Sequence, residues 1–124
     1  MDWKLELVNV PVSDVDRAKE FYVDKVGFTL DHDHAVNDEV RFVQITPPGS
    51  ACSISIGTGL GTEAKPGSVQ GLQLVVDDIQ AAHDHLAERG VEVSDVHNFP
   101  WGDFVFFSDP DGNGWAVQHI PNRG

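Results

Sequence analysis

Residues 5–12 alternate between apolar and polar side chains and are rich in Val and Leu, which predicts a strand; Pro11 places its end at a sheet edge. Ser13 or Asp14 then reads as a helix N-cap. Val15, Ala18, Phe21, Tyr22 and Val26 follow at helical spacing, so one apolar face runs to a stop at Gly27. Strands are predicted over 28–34, 40–46 and 51–56, separated by the Asn37-Asp38 turn and by Pro47-Pro48-Gly49. After a glycine-rich stretch the order begins again. Residues 72–76 form a strand, and Asp77 or Asp78 caps a helix whose apolar face is Ile79, Ala82, Leu86 and Ala87, ending at Gly90. Strands over 91–96, 104–107 and 115–120 complete the chain, with a loop at 98–102 and a strong turn at Asp109-Pro110-Asp111-Gly112-Asn113.

The second round repeats the first. Asp14-Val15 and Asp78-Ile79 occupy matching places, as do Ala18 and Ala82, and Tyr22 and Leu86. Each half reads strand, helix, three strands. This predicts an α+β fold of two βαβββ modules, with both helices covering one face of an open, curved sheet. The 124 residues make one domain, with module one at about 3–57, a linker at about 58–68 and module two at about 69–120. Two helices cover only one side of such a sheet. The other side needs a bound ligand or a second subunit, so a homodimer is predicted.

Composition narrows the function. With 20 acidic and 8 basic residues the net charge is −12, which repels phosphate backbones and argues against nucleic-acid binding. The same charge serves solubility whatever the site does. No apolar run reaches the ~18–20 residues of a membrane span, and Met1-Asp2-Trp3-Lys4 does not open like a signal peptide. The expected location is the cytoplasm, with no membrane partner. Cys52 is the only cysteine, which leaves no internal disulfide and no cysteine zinc cluster. It reads as a small buried strand residue, with a reactive thiol as the alternative.

Few residues form a recognisable catalytic pattern. The stretch with Gly57, Gly59, Gly61, Pro66 and Gly67 lacks the Gly-Lys-Ser/Thr ending of a phosphate loop. It reads as the linker, or as a flap over a cavity. There is no Gly-x-Ser-x-Gly elbow. Asp109 and Asp111 resemble a paired-carboxylate set, but Asp-Pro-Asp-Gly is first of all turn chemistry. His32 and His34 share a face of a strand, flanked by Asp31 and Asp33 on the other. They are the best metal candidates but lack a third ligand at a recognisable spacing. His83 and His85 diverge by roughly 200° on a helix. His97 and His119 stand singly.

The repeat, Phe21-Tyr22 and Gly27-Phe28 around the first helix end, Val76-Asp77-Asp78-Ile79, Trp101-Gly102 leading to Phe106, and the Asp109–Asn113 turn together resemble the vicinal oxygen chelate superfamily, the glyoxalase/bleomycin-resistance/dioxygenase group. The likeness spans nearly the whole chain. It implies two βαβββ modules forming a cup, often completed across a dimer. In the family's enzymes each cup holds a divalent metal on His, Glu or Gln from the first and last strands of the modules. The corresponding positions here are Leu7, Ser53 or Ser55, Gly71 and Ala116. Leu, Gly and Ala have no side-chain donor, and Ser is a poor one, so no metal and no other cofactor is expected.

A cup without a metal still has a wall. Period-two alternation from Leu7 and Gly71 places Asn9 and Gln73 on it, with Ser53 and Ser55, and Gln118 beside Ala116. Gln44 is a further polar candidate, and Phe42, Trp101, Phe104 and Phe106 are the aromatic ones. Trp115 falls on the helix-facing side. Amides, hydroxyls and rings suit a neutral, flat, partly aromatic ligand. The resulting expectation is a binding protein, without catalytic residues, that sequesters a hydrophobic small molecule or antibiotic. Two alternatives remain open: a metal-dependent lyase, isomerase or dioxygenase using displaced ligands such as His32, His34 or His119, and a dimeric domain with a structural role.

Overall fold

The computed structural model describes residues 1–60 and 64–120. Module one contains β1 (Leu7–Asn9), α1 (Val15–Lys19) with a π-helical continuation over Glu20–Val26, β2 (Thr29–Ala35), β3 (Arg41–Thr46) and β4 (Ser53–Thr58). Module two contains β5 (Leu72–Val75), α2 (Ile79–Glu88), β6 (His97–Phe99), β7 (Gly102–Ser108) and β8 (Gly114–His119). The α+β expectation of two βαβββ units holds. Each module forms its own four-stranded mixed sheet, in the orders β1-β4-β3-β2 and β5-β8-β7-β6. In both, the first strand runs parallel to the last and the other pairs are antiparallel.

The caps make the repeat concrete. Asp14 and Asp78 share the same extended backbone, with φ −137° and −141° and ψ 107° in both. Each carboxylate accepts from the N–H three residues on, Arg17 at 3.1 Å and Ala81 at 3.0 Å, and so satisfies one orphan donor of its helix. Val15, Ala18, Phe21, Tyr22 and Val26 are all buried as the spacing predicts, although the helix widens to π geometry from Glu20 onward. It ends where Gly27, at φ 94°, bonds back to the Tyr22 carbonyl. On α2, Ile79, Ala82 and Leu86 face the core, while Ala87, roughly 100° further round, faces out.

The core is shared. Val43, Ile45, Ile54 and Ile56 of the first sheet and Val105, Phe107, Trp115 and Val117 of the second join the helix residues in one cluster. Trp115 faces this core as expected, stacked on Phe107 and edge-on to Tyr22 and Phe28.

The Asp109–Asn113 turn does more than reverse the chain. The buried Asp109 carboxylate accepts from the Tyr22 hydroxyl at 2.7 Å, the Asn113 side-chain amide at 2.8 Å, and the backbone N–H groups of Asp111 and Asn113. Asn113, fully buried, also donates to the Pro11 carbonyl and accepts from the Val69 N–H. Asp111 accepts from both the backbone and the hydroxyl of Ser13. The indole N–H of Trp115 donates to the Tyr22 oxygen at 3.0 Å. The turn therefore ties module two to the end of β1 and to the first helix. Asp109 and Asp111 are structural, as the turn reading holds, and the helix they grip lies across the module boundary.

Several boundaries differ from the sequence expectation for identifiable reasons. β1 is shorter than 5–12 because β4, its ladder partner, starts at Ser53, and because Pro11 has no N–H to continue the ladder. The strand expected over 91–96 is reduced to a bridge between Val93 and Phe107. The Ser94 N–H still donates to the Phe106 carbonyl at 2.9 Å, but the Phe106 N–H donates to the Ser94 hydroxyl, also at 2.9 Å, a local competitor of strand pairing. The strand moves to His97–Phe99, overlapping the stretch over 98–102 read as a loop. Cys52 is half-buried just ahead of β4 rather than buried within it. Residues 61–63 of the expected linker and flap lie outside the described residues. Among the described residues no helix is long and apolar enough to cross a membrane.

Removing the Tyr22 hydroxyl (Tyr22→Phe) leaves Asp109 one donor short and the Trp115 indole unpaired. It should cost about 1–3 kcal/mol, read as a lower midpoint in urea unfolding; an unchanged midpoint contradicts the bridging role. Burial first, and then the Asp109 charge, push the Tyr22 phenol above its ordinary value. A raised value means that stability is complete below about pH 10, the ordinary phenol value, and falls as the pH rises beyond it. Because Tyr22 is the only tyrosine, tyrosinate absorbance should appear only together with unfolding. A rise at about pH 10 in protein that is still folded would count against this burial.

Candidate functional site

Each sheet buries one face in the shared core and turns the other away from it, and the predicted site residues lie on these turned-away, inner faces. On the first sheet Asn9 and Leu7 stand beside Ser55 and Ser53 across the β1–β4 pairing, and Gln44 beside Ser55 across β3–β4. The Asn9 amide donates to the Ser55 hydroxyl at 3.2 Å, and Gln44 to the Ser53 hydroxyl at 3.4 Å. Thr46 Oγ1 bonds Ser53 Oγ at 2.6 Å and also the Asp31 carboxylate. Phe42 shares this face, half-buried, next to His34, and His32 pairs with Gln44. A bulge between Leu30 and His32 turns Asp31 to the inner face, so it leaves the side expected for it. Asp33 keeps to the outer side, where Arg41 and Lys19 hold its carboxyl well below the usual carboxylate range.

The inner face of the second sheet is aromatic. Phe104 and Phe106 stack in parallel at 5.8 Å, and Phe104 meets Phe99 edge-on at 5.7 Å. Phe99 and Trp101 are parallel, 5° apart in plane and 5.1 Å between centroids. His97 lies against Phe99 and Phe106. Phe104 is buried, but Phe99, Trp101 and Phe106 remain 40%, 63% and 41% exposed. Phe99 was not a candidate from the sequence, because 98–102 reads as a loop around Pro100. The signal was there in the alternation of His97, Phe99 and Trp101. Gln73 and Gln118 share this face: Gln73 donates to Gln118, and Gln118 donates to the Trp101 carbonyl at 3.1 Å.

The described hydrogen bonds of these side chains stay within one sheet, so a polar set and an aromatic set stand apart. Two cavities of about 590 and 530 Å³ reach only Gly71, Ala116 and Phe106 in the first and Gln73 in the second. A smaller one of about 250 Å³ at the module seam takes in Ser53, Gly71 and Gln73. None of the three holds Asn9, Ser55, Trp101, Phe104 or Gln118.

Of the positions that correspond to family metal ligands, Leu7, Gly71 and Ala116 offer no side-chain donor, and the Ser53 hydroxyl is already bonded to Gln44 and Thr46. This set does not fit a divalent ion. Among the described residues no group of three or more His, Cys, Asp or Glu is placed to hold one. The remaining histidines have local partners: His85 bonds the Val26 carbonyl, His83 bonds Asp84, and His119 lies 3.8 Å from Asp103.

The chain is similar to TnmS3, an antibiotic binding protein from Streptomyces sp. CB03234, with 40% identity, coverage of 96% of this chain and 97% of that one, and a TM-score of 0.85. A glyoxalase/bleomycin resistance protein from the same strain shares 42% identity over 93% of this chain and 99% of its own, with a TM-score of 0.80. A member of the glyoxalase/bleomycin resistance protein/dioxygenase superfamily from Sphaerobacter thermophilus DSM 20745 shares 33% over 95% and 98%, with a TM-score of 0.82. The family model matches residues 4–117. With the paired βαβββ modules and this match along nearly its full length, the chain belongs to the Glyoxalase/Bleomycin resistance protein/Dioxygenase superfamily.

Proposed function

We propose that this protein binds and sequesters a flat, largely apolar small molecule without a metal ion, an antibiotic among the candidates because TnmS3 is an antibiotic binding protein. The observation that carries this reading is the aromatic face of the second sheet. Phe99, Trp101 and Phe106 leave ring surface open to solvent side by side, and contiguous exposed apolar surface on a folded chain marks an interaction site. Phe99 and Trp101 stack on each other, and the outer face of Trp101, the more exposed of the two, is the ring surface on which a flat ring system stacks. The polar face of the first sheet, with Asn9, Gln44, Ser53 and Ser55, complements it by offering hydrogen bonds to the ligand's edge. The two faces belong to separate sheets, so closing a pocket between them calls for a second copy that sets its polar face against this chain's aromatic one. The functional unit in this reading is a homodimer with two equivalent pockets.

The competing reading is a metal-dependent lyase, isomerase or dioxygenase. It draws on His32 and His34, which share the inner face with Gln44 and Phe42.

N-phenyl-1-naphthylamine, a neutral flat fluorophore, should bind saturably at one molecule per chain to protein that sediments as a dimer. Trp101→Ala should weaken that binding by about tenfold to a hundredfold, and equal affinity of the variant would remove the aromatic shelf from the site. Exhaustive dialysis against a chelator should leave the affinity unchanged. A stoichiometric divalent ion, lost on His32→Ala with His34→Ala, would instead establish the metal-dependent reading.

A further inference from the structure

Trp101 sits in a turn whose own chemistry does not hold it. Phe99 pairs with Gly102, so Pro100 and Trp101 form a two-residue hairpin loop. Such loops favour type I′ or II′ turns, in which the first central residue has positive φ. Proline is fixed near −65°, which leaves this loop only turns that splay the two strands apart. The hold comes from the neighbouring strand. Gln118 on β8, only 6% exposed, donates its Nε2 to the Trp101 carbonyl at 3.1 Å. Its Oε1 accepts from Gln73 on β5, on the far side of β8 from the loop. Gly102 makes the close approach possible. Its φ is +151°, and a Cβ there would stand 2.7 Å from the His119 carbonyl and 2.8 Å from Gln118 Nε2.

We infer that Gln118 is a positioning residue: its amide clamps the Trp101 carbonyl and so sets the tilt of the stacked Phe99–Trp101 pair, while Gln73 orients Gln118. Both ends of the Gln118 amide are engaged in this relay, so it serves the ligand through Trp101 rather than by contact. Gln73, on the exposed strand, is the member of the relay that a polar group on the ligand can reach. A ligand that bonds the free carbonyl of Gln73 strengthens the clamp, and one that takes its N–H loosens it. This role builds on the reading of the aromatic face as the binding surface, and the clamp itself can be tested separately.

Gln118→Met keeps the length and bulk of the side chain and removes both hydrogen bonds. Gln118→Glu keeps the size and an acceptor for Gln73 but removes the donor to Trp101. In ¹⁵N-labelled protein the Trp101 indole resonance is identified by its absence in Trp101→Phe. Gln118→Met should unfold within about 3 °C of the parent, because the freed Trp101 carbonyl lies at an exposed turn, whereas Gln118→Glu, which sets a carboxylate at a position only 6% exposed and against that carbonyl, should unfold lower. In both, the ¹H–¹⁵N NOE of the Trp101 indole should fall to that of a mobile side chain. The Kd for N-phenyl-1-naphthylamine should rise about tenfold through lost preorganisation. An unchanged indole NOE in both variants overturns the clamp. A falling NOE in protein that never binds the fluorophore sustains the clamp and sinks the sequestration reading, so the two failures are told apart.

Discussion

The fold turns on one buried carboxylate. Asp109 sits in the core, 5% exposed, and its carboxyl group takes four donors: the Tyr22 hydroxyl, the Asn113 amide and two backbone N–H groups of its own turn. A buried charge without such partners would cost several kcal/mol or more, so these positions are locked together. Asn113 passes the constraint to Pro11, just past β1, and to the segment leading into β5. Two modules that share no backbone ladder among the described residues are thereby held in one arrangement. The aromatic cluster of Phe21, Tyr22, Phe28, Phe107 and Trp115 packs around the same point.

That arrangement decides what the inner faces can do. With the helix-facing sides of both sheets committed to one core, the opposite sides are free of it. The first is a strip of amides and hydroxyls that satisfy one another; the second is a set of stacked rings that leaves Phe99, Trp101 and Phe106 exposed. A repeat that began as two equivalent halves has thus become two different surfaces. The backbone symmetry survives in the caps of Asp14 and Asp78 and in the strand order, while the side chains on the inner faces have diverged into complementary chemistry.

The candidate site was partly legible. Alternation from Leu7 and Gly71 correctly put Asn9, Ser53, Ser55, Gln73 and Gln118 on inner faces, because the side-chain period of a strand is two and admits no other outcome once the register is set. Phe99 and the strand that carries it were hidden by Pro100, which reads as a loop signal and is in fact the tip of a hairpin. Asp31 was put on the wrong side, since a bulge adds a residue without leaving a mark in the pattern. Gln118 was placed on the right face with no hint that its amide is spent on the Trp101 carbonyl.

The sequence by itself determined the order of elements, the 64-residue repeat, the places where the two helices start and the side of the sheet on which Trp115 lies. All of these depend on neighbours within a few residues, where spacing and side-chain chemistry act directly. Only the tertiary structure decided that Asp109 meets Tyr22, 87 residues away, that the modules keep separate sheets, and that the polar and aromatic inner faces stand apart. Those outcomes depend on which distant surfaces can bury each other with every polar group satisfied, and a linear pattern carries no record of that choice.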